Sequence, residues 1–359
     1  MAFVAVLALG ALGLSAALYR DAERERAGRV RSDRISALSF DTAAQAHRID
    51  ELFRGMETAL EGLRTASEWA LASPEPSAAT APLYFDKDFA EASRRPLDFT
   101  ADTRYRWPVS VEHPVAGLAP TANREKLLPK LRRLSPLRRH MQQMIVSTKG
   151  AAETPLSAED QRLSLLARQG TIDYAYVNLK EGVIYLFPGM NSLPPGYDVR
   201  TASFYTLSEN KRGKRWGSPY VDSTTDEQGD DLVLPCTEGM WSTDGEFLGV
   251  AGVEITVTKL VEKSLAIPGR ETLRTSIVDA TGRKIVDSGD AGKRFKTNGK
   301  DESIDLAEFD IPSIAEAIRQ NEVGVREVTH GGKQKLVAFT RLTVLGWYYV
   351  VEVPRSILD

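Results

Sequence analysis

Between Tyr197 and Glu254 the chain carries residues whose types suit binding rather than bond-breaking. The stretch reads Y-D-V-R-T-A-S-F-Y from Tyr197, W-G-S-P-Y-V-D from Trp216 and D-G-E-F-L-G-V-A-G-V-E-I from Asp244. Aromatic side chains (Tyr197, Tyr205, Tyr220) and carboxylates (Asp222, Glu254) fall at the ends of short strands and loops, around a Gly-flanked apolar strand. Tyr220 and Asp222 share one strand face by alternation. An anion beside aromatic rings suits an ammonium group. Plainer roles stand beside this one: Asp222 as a turn-capping carboxylate, Tyr205 and Tyr220 as core packing. Trp216 and Trp241 read as structural, and Cys236, inside an apolar strand, as a small buried hydrophobe.

The parts of an enzyme are missing. The four histidines, His47, His113, His140 and His330, form neither an H-E-x-x-H nor a pair at metal-ligand spacing. There is no P-loop, dinucleotide fingerprint or G-x-S-x-G. The acidic run Asp226–Asp231 does not match an EF-hand loop and reads as a solvated loop. No catalytic residue, metal or cofactor is therefore expected. A net charge of −3 supplies no field for nucleic acid, and the basic run Arg124–Ile145 reads as a solvated helix face. The single cysteine excludes an intramolecular disulfide and a thiolate metal cluster.

At 359 residues, with 42% hydrophobic and 26% charged residues, the chain can hold two compact modules. Met1–Tyr19 has no charged side chain and is roughly 28 Å long as a helix, close to a bilayer core. It is expected to be a membrane anchor, with a signal peptide cut near Ser15-Ala16-Ala17 as the competing reading. Six arginines from Arg20 to Arg34 follow this run and none precedes it, a charge bias that runs against export of the body. From Ile35 to Ala72 apolar residues recur at three- and four-residue steps: Ile49, Leu52, Met56, Leu60, Leu63, Ala66 and Ala70. The pattern predicts a long stalk helix, packed on its own domain or also paired with a second copy. A dimer by light scattering at high concentration is the expected result, and a monomer there refutes it.

Prolines 74, 76 and 82 end that helix, and the segment to Pro120 is irregular and aromatic-rich. Pro129 and Pro136 divide the basic stretch, with Ser135-Pro136 as N-cap and first-turn proline. Asp160–Gln169 is a short helix; Ile172–Leu179 and Val183–Phe187 form a hairpin around Lys180-Glu181-Gly182. Strands follow near Tyr220, at Leu232–Pro235 and at Phe247–Val257, then a short helix at Lys259–Leu265. Beyond Pro268-Gly269 the pattern is hairpin (Arg274–Asp279, Arg283–Asp287), helix (Pro312–Arg319), then strands at Val325–Thr329, Lys335–Thr340 and Trp347–Val353. That is a PAS-like layout.

In this order the three motifs resemble the ligand-binding half of a double Cache (dCache) sensor, the extracytoplasmic module of many bacterial receptors. The resemblance covers most of the chain after the anchor and is clearest from Asp173 to Val353; I-V-D-A-T-G-R and G-W-Y-Y-V-V-E-V-P in the last module support it. Carried over residue by residue from amino-acid-binding members, it implies a site of Tyr197, Ala202, Phe204, Tyr205, Tyr220, Asp222 and Glu254. Tyr197, Tyr205, Tyr220 and Asp222 agree with the family. Ala202 stands where the family has the arginine that neutralises a ligand carboxylate. Arg200 can stand in for it if the segment is extended, since it would share a strand face with Ala202. Phe204 keeps the apolar wall without an indole donor, and Glu254 keeps the anion with one more methylene.

The expected architecture is α+β: an N-terminal membrane helix (1–19) and a stalk helix (20–73), then two PAS-like antiparallel-sheet modules. The membrane-distal, ligand-binding module spans 74–267 and the membrane-proximal module 268–359. The resemblance implies a single-pass inner-membrane receptor whose sensor domain is periplasmic and binds a small organic molecule in the distal module. The expected partners are that ligand, the membrane, a second copy and a separate signalling protein. The alternative is an anchored or secreted binding or docking protein with no output of its own.

Overall fold

The computed structural model describes residues 2–76, 82–105, 107–149, 156–221, 231–293, 295 and 304–358, with the backbone only for residues 2–18. It is a mixed helix and sheet structure with two principal sheets, antiparallel but for one short strand pair, and a long N-terminal helix. The chain divides into two units: Met1–Arg48 with Leu265–Asp287 and Ala307–Asp359, and Ile49–Ser264 with Ser288–Leu306.

Helix α1 (Ala2–Ala72) contributes to both units. In the larger unit its buried seam is Ile49, Phe53, Met56, Leu60, Leu63, Ser67 and Ala70, each at most 4% exposed and at alternating steps of four and three. The seam takes Phe53 and Ser67 where the sequence reading has Leu52 and Ala66. Phe53 meets the Trp216 ring edge-on at 4.8 Å, and Ser67 returns its hydroxyl to the Leu63 carbonyl at 2.6 Å, which removes the cost of burying it. The apolar run expected to be an anchor lies, up to residue 18, outside the residues with described side chains. Among the described residues no helix is long and apolar enough to cross a membrane.

The larger unit continues with β1 (Tyr84–Phe85), α2 (Asp86–Ala90), β2 (Val109–Ser110) and β3 (Val115–Leu118). Next come α3 (Arg124–Leu134), α4 (Leu137–Ser147), α5 (Ala158–Leu166), β4 (Tyr174–Leu179), β5 (Val183–Phe187) and β6 (Gly189–Met190). Then follow α6 (Ser203–Ser208), β7 (Arg215–Trp216), β8 (Tyr220–Val221), β9 (Leu232–Trp241), β10 (Phe247–Thr256) and α7 (Val257–Leu260). The main sheet runs β1-β3-β5-β4-β10-β9-β7, with β8 also on β9; only β1–β3 is parallel. Pro129 does not divide the basic stretch: α3 runs through it, because a proline this near the N-terminus removes only the bond to the Glu125 carbonyl while Leu127, Leu131 and Leu134 are buried. Pro136 sits one place before α4 rather than in its first turn.

Strand alternation sorts the side chains of this sheet onto two faces. Val177, Tyr185, Cys236, Glu238, Ala251 and Val253 share the face covered by α1, as the Arg64–Glu238 ion pair at 3.4 Å and the Trp216 Nε1–H bond to Glu57 at 3.0 Å show. The other face carries Tyr176, Asn178, Ile184, Thr237, Gly252 and Glu254, and α6 packs on it through the Ser208–Thr237 hydroxyl bond at 2.8 Å.

The smaller unit is built from β11 (Arg274–Val278), β12 (Lys284–Asp287), α8 (Pro312–Arg319), β13 (Gly324–His330), β14 (Lys333–Arg341) and β15 (Tyr348–Pro354). Its sheet order is β12-β11-β15-β14-β13, antiparallel throughout. Pro312 opens α8 as expected, and Ile314 and Ile318 pack with Val278, Phe309, Phe339 and Tyr348 into one buried core.

Candidate functional site

Glu254 lies near the end of β10, 4% exposed, on the sheet face opposite α1. The Tyr220 hydroxyl donates to its Oε1 at 2.5 Å. Phe204, on the first turn of α6, bridges two strands: its ring centroid is 5.5 Å from Tyr220 and 5.0 Å from Tyr176. The result is a buried carboxylate lined by a row of three aromatic rings from β4, α6 and β8.

Tyr176 belongs to this cluster although the sequence reading passed over it. Its signal was present: Tyr174, Tyr176 and Asn178 fall on one face of β4 at every second residue. Gly252, directly across from Tyr176, makes the room. A Cβ there would lie 2.2 Å from the ring, so the tyrosine lies over the glycine and no larger residue fits without moving it. Burial first, then the neighbouring Glu254 carboxylate, pushes the Tyr176 hydroxyl far above the usual phenol range, so it stays protonated.

The other sequence-predicted residues are placed separately. The segment after Tyr197 is not extended: Val199–Thr201 is a 3-10 turn capped by the Asp198 side chain, which accepts the Arg200 N–H at 3.1 Å, and α6 follows at once. Arg200 and Ala202 therefore do not share a strand face. The Arg200 fork engages Asp198 through Nε at 2.9 Å and Nη2 at 2.6 Å, and Nη2 also donates to Thr121 at 2.8 Å. That pairing lowers the Asp198 pKa and raises that of Arg200. Tyr205 is buried, 6.5 Å from the Phe247 ring and edge-on to it. Tyr197 lines a cavity of about 650 Å³ together with Gly117, Ile184, Leu193 and Val199. Asp222 and most of the acidic run, residues 226–230, lie outside the described residues. Asp231 is described, and burial pushes its carboxyl up to about 6.

At the end of β4 nearest Glu254, Asp173 is fully buried between two cations. Arg168 Nη2 lies 2.6 Å from its Oδ1, Lys259 Nζ donates to the same oxygen, and the Thr256 N–H donates to Oδ2 at 2.8 Å. The Asp173 N–H donates to the Glu254 carbonyl at 2.7 Å, so this ion cluster fixes the backbone that carries the carboxylate.

Among the described residues Asp98, Glu112 and His113 could together offer a metal three ligand atoms, all within 4.8 Å of one another. Asp98 is already engaged there, accepting from the Ser110 hydroxyl at 2.7 Å and the Glu112 N–H at 2.9 Å. Arg138 Nη1 stands 3.5 Å from His113 Nδ1, a cation where a metal would sit. The group braces its own loop.

No protein-family model matches the chain, and no curated protein sequence matches it. Solved structures with a similar layout exist. One is the ligand-binding domain of the Pseudomonas aeruginosa PAO1 amino acid chemoreceptor PctC in complex with GABA: 17% identity, 89% of this chain and 100% of that one, TM-score 0.47. Another is that of the Pseudomonas fluorescens chemoreceptor CtaA with L-isoleucine: 13% identity, 93% and 97% coverage, TM-score 0.49. The P. aeruginosa chemoreceptor PctB domain with L-Gln covers 61% of this chain and 76% of its own at 18% identity and a TM-score of 0.38.

Proposed function

We propose that this chain is the ligand-sensing part of a membrane receptor and binds a small organic cation, its ammonium group held at Glu254. The observation that carries this reading is the buried Glu254 carboxylate, bonded to the Tyr220 hydroxyl within the Tyr176–Phe204–Tyr220 row. A buried carboxylate is favourable beside a cation, and aromatic faces attract one electrostatically. From the sequence, Asp222 is proposed as a further contact for the ammonium group. Arg200, held by Asp198, is assigned no contact with a ligand carboxylate, so an amine is favoured over an α-amino acid.

In this reading the apolar N-terminal run tethers the chain to the membrane with the sensor outside the cytoplasm. Ligand shifts the population of two arrangements of the site, and α1 carries the difference toward a partner that produces the output.

The test is a thermal-shift screen of the whole chain against amines, amino acids, organic acids, purines and sugars, with Glu254→Gln and Asp222→Ala alongside. Ligand at about 100 times its Kd adds roughly 2.7 kcal/mol. An amine is expected to stabilise the wild type and to lose its effect in Glu254→Gln. Stabilisation that survives Glu254→Gln puts the ligand elsewhere. Silence across every class, from folded protein, turns the reading to a docking module.

A further inference from the structure

Glu254's face of the main sheet carries a second feature that neither the fold nor the amine reading uses. Both polar atoms of one buried amide, Asn178 Nδ2 and Asn178 Oδ1, have no hydrogen-bond partner among the described residues. Asn178 is fully buried in the middle of β4, a position where a central strand ordinarily carries an apolar residue. A buried amide that donates and accepts nothing is a cost that folded proteins avoid, and it calls for a specific occupant.

The register says where that occupant sits. Asn178 pairs with Ile184 on one side and Val250 on the other, so the three side chains share a face and stand next to one another. Ile184, with Gly117 across from it, lines the cavity of about 650 Å³. Gly117 is closely packed at this edge of the cavity: a Cβ there would fall 2.2 Å from Leu193 and 2.8 Å from Ile184. Along β10, Val250 and Glu254 are four residues apart, about 13 Å of strand. Gly252 and the Tyr176 ring lie between them.

We infer that the ligand has two ends: the ammonium group at Glu254 and Tyr220, and an uncharged group that both donates and accepts hydrogen bonds at Asn178. The inference rests on the amine reading of the same site and narrows its ligand class to amines bearing a distant carboxamide or hydroxyl. The Asn178 amide presents a donor and an acceptor side by side, which matches the edge of a second amide. A carboxylate in that place would turn its charge on Oδ1, and the guanidinium that would neutralise it is held by Asp198.

The probes are pentylamine and 5-aminopentanamide, which differ only in the terminal carboxamide. Both are titrated by thermal shift and calorimetry into the wild-type chain and Asn178→Leu. In the wild type the aminoamide is expected to bind about tenfold or more tightly than pentylamine. Asn178→Leu should bring it to the pentylamine level and leave pentylamine unchanged. Equal affinities in the wild type overturn the two-ended ligand while the amine reading stands. No binding of either probe overturns both. The wild-type comparison decides even if Asn178→Leu does not fold. If that variant folds and weakens both probes alike, Asn178 is a packing residue and the inference is wrong.

Discussion

Replacing Asp173 with alanine is expected to destabilise the larger unit by about 3–5 kcal/mol, the range for removing one partner of a buried ion pair. Asp173 is fully buried, with Arg168 and Lys259 both directed at it, so truncation leaves two cations and no anion. Arg168 cannot shed its charge. Lys259 can. Burial has already lowered its pKa to about 8 despite the Asp173 charge, and without that charge it falls further, which limits the loss. Urea unfolding followed by tryptophan fluorescence reads this directly, since Trp69, Trp107, Trp216 and Trp241 belong to the larger unit. An unchanged midpoint would mean that the cluster contributes no net stability.

The pH dependence gives the same group a second signature. Burial alone would raise the Asp173 pKa, but Arg168 and Lys259 hold it below the usual carboxylate range. A depressed carboxyl binds fewer protons in the folded state than in the unfolded one. Its contribution is therefore complete above about pH 4, the unfolded value, and is lost as pH falls through the folded value. Asp173→Asn should flatten that acid limb. Because the Asp173 N–H holds the Glu254 carbonyl, both variants should also weaken amine binding at neutral pH.

Gly249→Ala is expected to cost about 2–5 kcal/mol by the same measurement, from backbone strain together with overpacking. Gly249 has φ +150°, and a Cβ there would lie 1.9 Å from the carbonyl oxygen of Asn178. That oxygen is main chain, so no rotamer change relieves the contact. The glycine follows an irregularity in the β9–β10 register between Phe247 and Gly249, and it lets β10 close on β4 where Asn178 presents its amide. Gly245→Ala is the control: φ is +81° with nothing within 4 Å of a Cβ, so it should cost only about 1 kcal/mol. Equal losses in the two variants would show that conformation, not the clash, sets the penalty.

Most elements were legible because local chemistry announces them. Pro312 opens α8, Lys180-Glu181-Gly182 turns the β4–β5 hairpin, and period-two apolar residues mark β14 and β15. The helical stripe of α1 was visible too, but its exact seam was not: Phe53 is chosen over Leu52 because Trp216, 163 positions later, stands where only Phe53 meets it. The Y-D-V-R-T-A-S-F-Y segment misled for a related reason. Six residues of helix carry little periodicity: the Asp198 cap sets the 3-10 turn before α6, and the packing of Ser208 on Thr237 holds α6 itself.

By itself, then, the sequence determined the α+β class and the order of most helices and strands, since each depends on residues a few positions apart. Only the tertiary structure decided which residues meet. It brought Tyr176 and Phe204 to Tyr220 and Glu254, gave Arg200 to Asp198, and buried Asn178 without a partner among the described residues. The physical reason is sheet register: a slip of one residue turns every side chain to the opposite face. Register is settled by contacts between strands as far apart in sequence as β4 and β10, which no local pattern contains.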